Sequence, residues 1–163
     1  MVAKVFKEIH EAASQQSGLS RKVLDYGLTM QKIVSEAKSG NFSIKNWQPL
    51  AEFVDIDKFR RVGNFLEVMT WQQYIELLTR WAAGGAQWEG SFKRVTEHDR
   101  VVFLELEERT RQGEHLSVIN SNSVYEFNAA GKVVHLDIYL QMRPMHPDMM
   151  KAYDGVLPSS DTP

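Results

Sequence analysis

Cysteine is absent from this chain of 163 residues, and that gap removes several chemistries at once. A disulfide scaffold, a thiolate nucleophile and a cysteine-ligated zinc or iron–sulfur centre are all excluded. Long apolar runs are missing too. No stretch is long enough to cross a bilayer, and Lys4, Lys7, Glu8, His10 and Glu11 interrupt the apolar run that a signal peptide needs. The expected location is the cytoplasm, with no membrane partner. Charge of one sign is not in excess: the net charge is -2, which provides no pull toward nucleic acid. Histidines are few and scattered. His10, His98, His115, His135 and His146 include no pair at helical i, i+4 spacing, so no metal site is expected.

What is present is an ordinary apolar share of 43%, enough for one domain to bury a core without staples. Val2, Val5, Phe6 and Ile9 recur at helical spacing and predict a short opening helix before the Gln15–Gly18 break. Ser20 can cap a second helix to about Ser39, stopped at Gly40-Asn41. Asn46 and Pro49 start a third, through Leu50 and Phe53. Lys58–Val62 and Phe65–Val68 read as two short strands around Gly63-Asn64. Thr70 and Gln73 have capping-box spacing, followed by the stripe Trp71, Tyr74, Ile75, Leu78 and Trp81, which reads as core rather than as a cofactor box.

Four strands follow, at about Trp88–Thr96, Val101–Arg111, His115–Phe127 and Lys132–Met142. Their turns at His98-Asp99, Gln112-Gly113 and Asn128–Gly131 are short enough to imply sequential antiparallel pairing. The last strand alternates: Val134, Leu136, Ile138 and Leu140 share the face that must be buried, and His135, Asp137, Tyr139 and Gln141 share the other. Pairing Phe127 with Lys132 adds Tyr125, Ser123, Ser121 and Ile119 to the aliphatic face. A two-residue hairpin at Gln112-Gly113 adds Val102, Leu104 and Leu106. Phe103, Glu105, Glu107, Asn120 and Asn122 then join the outer face, which reads as solvated or as a contact between two copies.

Helix, helix, strand, capped helix and a four-strand meander, with Ser39-Gly40-Asn41-Phe42 and Gly131-Lys132-Val133-Val134 as local marks, resemble the NTF2-like superfamily over roughly residues 20–142. SnoaL-like polyketide cyclases, ketosteroid isomerase, limonene epoxide hydrolase and scytalone dehydratase belong to it. The resemblance implies an α+β, NTF2-like (cystatin-like) cone of helices on a curved antiparallel sheet around an apolar pocket. It also implies a homodimer through the outer sheet face. Residues 1–19 would be a helical extension and residues 143–163 an irregular tail. The superfamily's catalytic carboxylates do not carry over. Arg60 and Arg61 precede Val62-Gly63 where ketosteroid isomerase keeps its base, Ser123 stands at its oxyanion-hole aspartate, and Ile138 stands at the last-strand aspartate of the cyclases and the epoxide hydrolase.

The pocket expected from the register is lined by Leu104, Leu106, Ile119, Leu136 and Ile138, with hydroxyls from Ser121, Ser123 and Tyr125. Tyr26, Met30, Tyr74 and Trp81 close it from the helices. Such a site suits a hydrophobic small molecule and needs no cofactor. Tyr125 can polarise a carbonyl, and Asp55, Asp57 or Glu108 near the strand ends can act as base; Asp137 qualifies only if a bulge turns it inward. Lys58, Arg60 and Arg61 read as solvated edge-strand charges, with an anion at a pocket mouth as the alternative. The function expected is an isomerase, cyclase or dehydratase; a non-catalytic binding module or scaffold is the rival reading.

Overall fold

The computed structural model describes residues 7–37, 41–142 and 146–155. Strand β1 (Lys7–Glu8) runs directly into helix α1 (Ile9–Ser14), and α2 spans Gly18–Glu36. Val2, Val5 and Phe6, expected to begin the opening helix, lie outside the described residues, as do Ser39 and Gly40. Ser17 rather than Ser20 occupies the cap position of α2. Ser20 is buried inside the first turn, where its amide and hydroxyl both donate to Glu97 Oε2, at 2.9 and 2.7 Å.

A short 3-10 turn, Ile44–Trp47, leads into α3 (Gln48–Ala51), which carries Pro49 in its first turn. Strands β2 (Arg60–Val62) and β3 (Val68–Met69) form a hairpin. Helix α4 (Trp71–Ala83) starts at the Thr70–Gln73 capping box: the Thr70 amide donates to Gln73 Oε1 at 2.9 Å. The meander is β4 (Gln87–His98), β5 (Val101–Gln112), β6 (His115–Phe127) and β7 (Val133–Gln141). Residues 146–155 then form the short helix α5 (Pro147–Met150) and a 3-10 turn, Lys151–Tyr153, where the sequence reads as irregular.

The strands make one mixed, open sheet in the order β1-β4-β5-β6-β7-β2-β3. The meander pairs are antiparallel, and β2 joins β7 in parallel, Arg61 opposite Leu136. The buried face is the one expected, yet both hairpin registers differ by two residues. Gly113, at φ 60°, and Glu114 form the β5–β6 turn, so Leu104 faces Ser123. Across the next hairpin Tyr125 faces Leu136 and Ser123 faces Ile138. A bulge beside Phe127 sets Val133, rather than Val134, on the buried face. Bulges of this kind bend a strand and tighten its twist.

One hydrophobic core fills the space between this face and the helices, and it includes α1: Ile9, Ala12 and Ala13 are each at most 2% exposed. Ile9 fits a hollow left by Gly90, where a Cβ would stand 2.7 Å from Ile9 Cδ1. Ile9→Ala is therefore expected to cost about 2–5 kcal/mol in urea unfolding, the usual range for emptying a fully buried aliphatic site. A loss below about 0.5 kcal/mol would show that α1 is an appendage. No helix among the described residues is long and apolar enough to cross a membrane.

Candidate functional site

A cavity of about 210 Å³ opens between the inner sheet face and helices α2 and α4. Leu104, Leu106, Ile119, Ser123, Tyr125, Leu136 and Ile138 line it from the sheet. Tyr26 and Met30 of α2, and Tyr74 and Trp81 of α4, line it from the helices, as the pattern of apolar positions requires. Ser121 shares the inner face but does not line the cavity; it is buried between Leu106 and Leu140, and its hydroxyl has no partner among the described residues. Met149, Ala152 and Tyr153 of the C-terminal segment add a further wall, held in part by Arg80 Nη2 donating to the Ala152 carbonyl at 3.1 Å.

Arg61 also lines the cavity and is only 5% exposed, which overturns its reading as a solvated edge-strand charge. Its Nη1 donates to Glu67 Oε1 at 3.0 Å, and its guanidinium lies 5.0 Å from the Tyr74 ring centroid. The local chain is shaped for this pair. A Cβ at Gly63 would collide with the Glu67 carboxylate and stand 2.6 Å from Arg61 Nη1. At the exposed hairpin tip, Leu66 takes φ 62°, and the chain turns back so that Glu67 points inward. Glu67 Oε2 accepts the Phe65 amide at 2.9 Å. Burial works against the Arg61 charge, but Tyr74, Tyr153 and Glu67 more than offset it and hold the pKa above its ordinary value. The cation persists.

Three tyrosines feel the Arg61 charge, and a fourth, Tyr125, lines the same cavity. Burial raises the hydroxyl pKa of Tyr26, Tyr74, Tyr125 and Tyr153 above the ordinary tyrosine value, and for Tyr26, Tyr74 and Tyr153 the Arg61 charge pulls the other way. Raised values keep all four protonated at neutral pH, so they serve as hydrogen-bond donors and not as phenolate bases. The Tyr26 and Tyr74 hydroxyls lie close enough to influence each other's ionisation, yet Tyr26 has no partner at hydrogen-bonding geometry.

Among the described residues, the acidic side chain lining the cavity is Glu108. It continues the inward row Val102, Leu104, Leu106 along β5, and its Oε2 accepts the Trp88 indole N–H at 2.8 Å. Its charge reaches Tyr74, Tyr125 and Tyr153. The cavity thus joins a proton acceptor, neutral hydroxyl donors and apolar walls.

The other carboxylates considered from the sequence lie elsewhere. Asp55 accepts Asn128 Nδ2 at 3.0 Å and anchors the β6–β7 turn, and it does not line the cavity. Asp57 is exposed. Asp137 is on the outer face, paired with His135 at 2.9 Å, because the bulge lies upstream of it and leaves its direction unchanged. Asp137→Asn is accordingly expected to leave both ligand binding and the unfolding midpoint unchanged, by calorimetry and thermal denaturation. A lost ligand would move the site to the outer face.

Sequence spacing does not reveal one further cluster. His115, His146 and Asp148, from β6 and the C-terminal segment, place one potential ligand atom each within 4.8 Å of the others. The two imidazoles stack at 3.8 Å, and Lys151 already holds Asp148 at 2.8 Å, contacts that tie the C-terminal segment to β6.

No protein-family model matches the chain, and no curated protein matches it. Solved structures do. A candidate SnoaL-like polyketide cyclase from Shewanella putrefaciens has a TM-score of 0.63 at 10% identity, covering 86% of this chain and 92% of its own. An NTF2-like protein of unknown function from Cytophaga hutchinsonii gives 0.53 at 12% identity, covering 77% and 92%. An LEH-like epoxide hydrolase of M. tuberculosis gives 0.51 at 14%, covering 80% and 90%. At such identities the likeness is one of fold.

Proposed function

We propose that this chain, whose fold is NTF2-like, is a cofactor-independent enzyme that removes a proton from carbon in a hydrophobic small molecule, as an isomerase, cyclase or dehydratase. The observation that carries the reading is Glu108 lining an apolar cavity together with Tyr74, Tyr125 and Tyr153, whose hydroxyls its charge reaches. Glu108 takes a proton from carbon and gives it back at a second carbon in an isomerisation, or to the departing or ring-closing oxygen in a dehydration or cyclisation. Neutral hydroxyls of the cavity, Tyr125 among them, donate to substrate oxygens. Apolar walls lower the local dielectric, which strengthens both interactions. Fold likeness to a candidate cyclase and to an epoxide hydrolase agrees with catalysis but does not specify the reaction.

The outer face, with Tyr139 59% and Phe103 39% exposed, is in this reading the contact with a second copy of the chain. A ligand carrier is the second reading, favoured by Ser123 and Ile138 standing where related enzymes place aspartates.

Native mass spectrometry of protein purified from its own host tests the site. Ser123 lies mid-cavity between Leu104 and Ile138, so Ser123→Phe fills it. The expected result is a dimer carrying an apolar compound that the variant lacks. A compound retained equally by both proteins would place the ligand elsewhere.

A further inference from the structure

Among the described residues, four buried side-chain polar atoms lack a hydrogen-bond partner, and two of them, Arg61 Nε and the Tyr26 hydroxyl, belong to residues that line the cavity. Both can donate. A buried cationic N–H left unpaired is among the more costly polar defects in a fold. Here Glu67 engages Nη1 and the Tyr153 hydroxyl also lies beside the guanidinium, yet neither meets Nε at hydrogen-bonding geometry.

We infer that the cavity selects ligands bearing an uncharged carbonyl oxygen, which accepts from Arg61 Nε and the Tyr26 hydroxyl. A carbonyl oxygen accepts without donating and has two acceptor sites, so it suits either donor and has capacity for both. Charge distinguishes it from a carboxylate. Arg61 is already balanced by Glu67 at 3.0 Å, and Glu108 lines the same cavity. A ligand carboxylate would therefore be an uncompensated anion facing a second one in a poorly screened space. A pure hydrocarbon would fit the walls but leave both donors unpaired. The inference rests on the reading of the cavity as a small-molecule site, and it narrows the substrates to ketones, aldehydes, lactones and quinones with an apolar body.

Three matched probes separate the possibilities: 2-acetonaphthone, 2-ethylnaphthalene and 2-naphthoate, titrated by calorimetry against the full chain. The ketone is expected to bind at least tenfold more tightly than the other two, and its carbonyl stretch should move to lower frequency on binding. Arg61→Lys keeps a cation for Glu67 but has no Nε–H, and it should abolish most of that preference and shift. Tyr26→Phe removes a hydroxyl that lies near Tyr74 without reaching hydrogen-bonding geometry, should fold normally, and should lose part of both.

Tightest binding by the naphthoate would overturn the inference in favour of an anion site. Equal binding of ketone and hydrocarbon would overturn it while leaving the small-molecule reading intact. Binding by none of the three would sink both. An unshifted carbonyl stretch in the bound ketone would also contradict it.

Discussion

Arg61→Met is expected to cost about 3–5 kcal/mol of folding stability, because it leaves Glu67 as a buried, unpaired carboxylate. Side-chain exposures of 6% for Arg61 and 2% for Glu67 exclude the rescue by water that makes surface ion pairs nearly neutral. The double variant Arg61→Met/Glu67→Leu should recover most of the loss, since two apolar groups of similar volume replace two desolvated charges. Recovery should stop about 1 kcal/mol short, because a leucine side chain cannot accept the Phe65 amide that Glu67 holds. Urea unfolding at neutral pH measures all three proteins. A single variant within about 1 kcal/mol of the parent would mean that the pair is solvated, and it would weaken the donor pole built around it.

Glu108→Gln is expected to lower kcat by about 10²–10⁴-fold, the usual contribution of a positioned general base. The substitution is nearly isosteric. Its amide oxygen can still accept the Trp88 N–H that Glu108 Oε2 accepts at 2.8 Å, so the thermal midpoint should stay within about 2 °C of the parent. The contrast between lost turnover and retained stability is the signature of a chemical role. A drop in kcat of less than about tenfold would remove Glu108 as the base and leave the cavity as a binding site.

Much of this arrangement is legible in the chain, for reasons that have a common root. Side chains on a strand alternate with period two, so a register error of two residues leaves every residue on its proper face. That is why Leu104, Ser123, Tyr125 and Ile138 are found around one cavity although both hairpins pair differently from expectation. Thr70 and Gln73 mark the start of α4 because both halves of a capping box lie within four residues.

Long-range geometry is where local patterns fail. Arg61 beside Arg60 looks like an exposed basic pair. Its burial depends on β2 lying parallel to β7, on Gly63 leaving room, and on the turn at Leu66 carrying Glu67 inward. Val133 replaces Val134 on the inner face through a bulge that no local pattern announces. Tyr153 reaches the cavity from a segment rich in proline and short of periodicity, so its placement reflects tertiary packing alone.

Catalysis in the inner cavity is tested most directly by incubating the full chain with a small-molecule extract of its own host and comparing the compounds by mass spectrometry before and after. At least one apolar carbonyl compound should be converted by the parent protein and by neither Glu108→Gln nor Ser123→Phe. Conversion that survives both substitutions, or an extract unchanged by a folded parent protein, would contradict it.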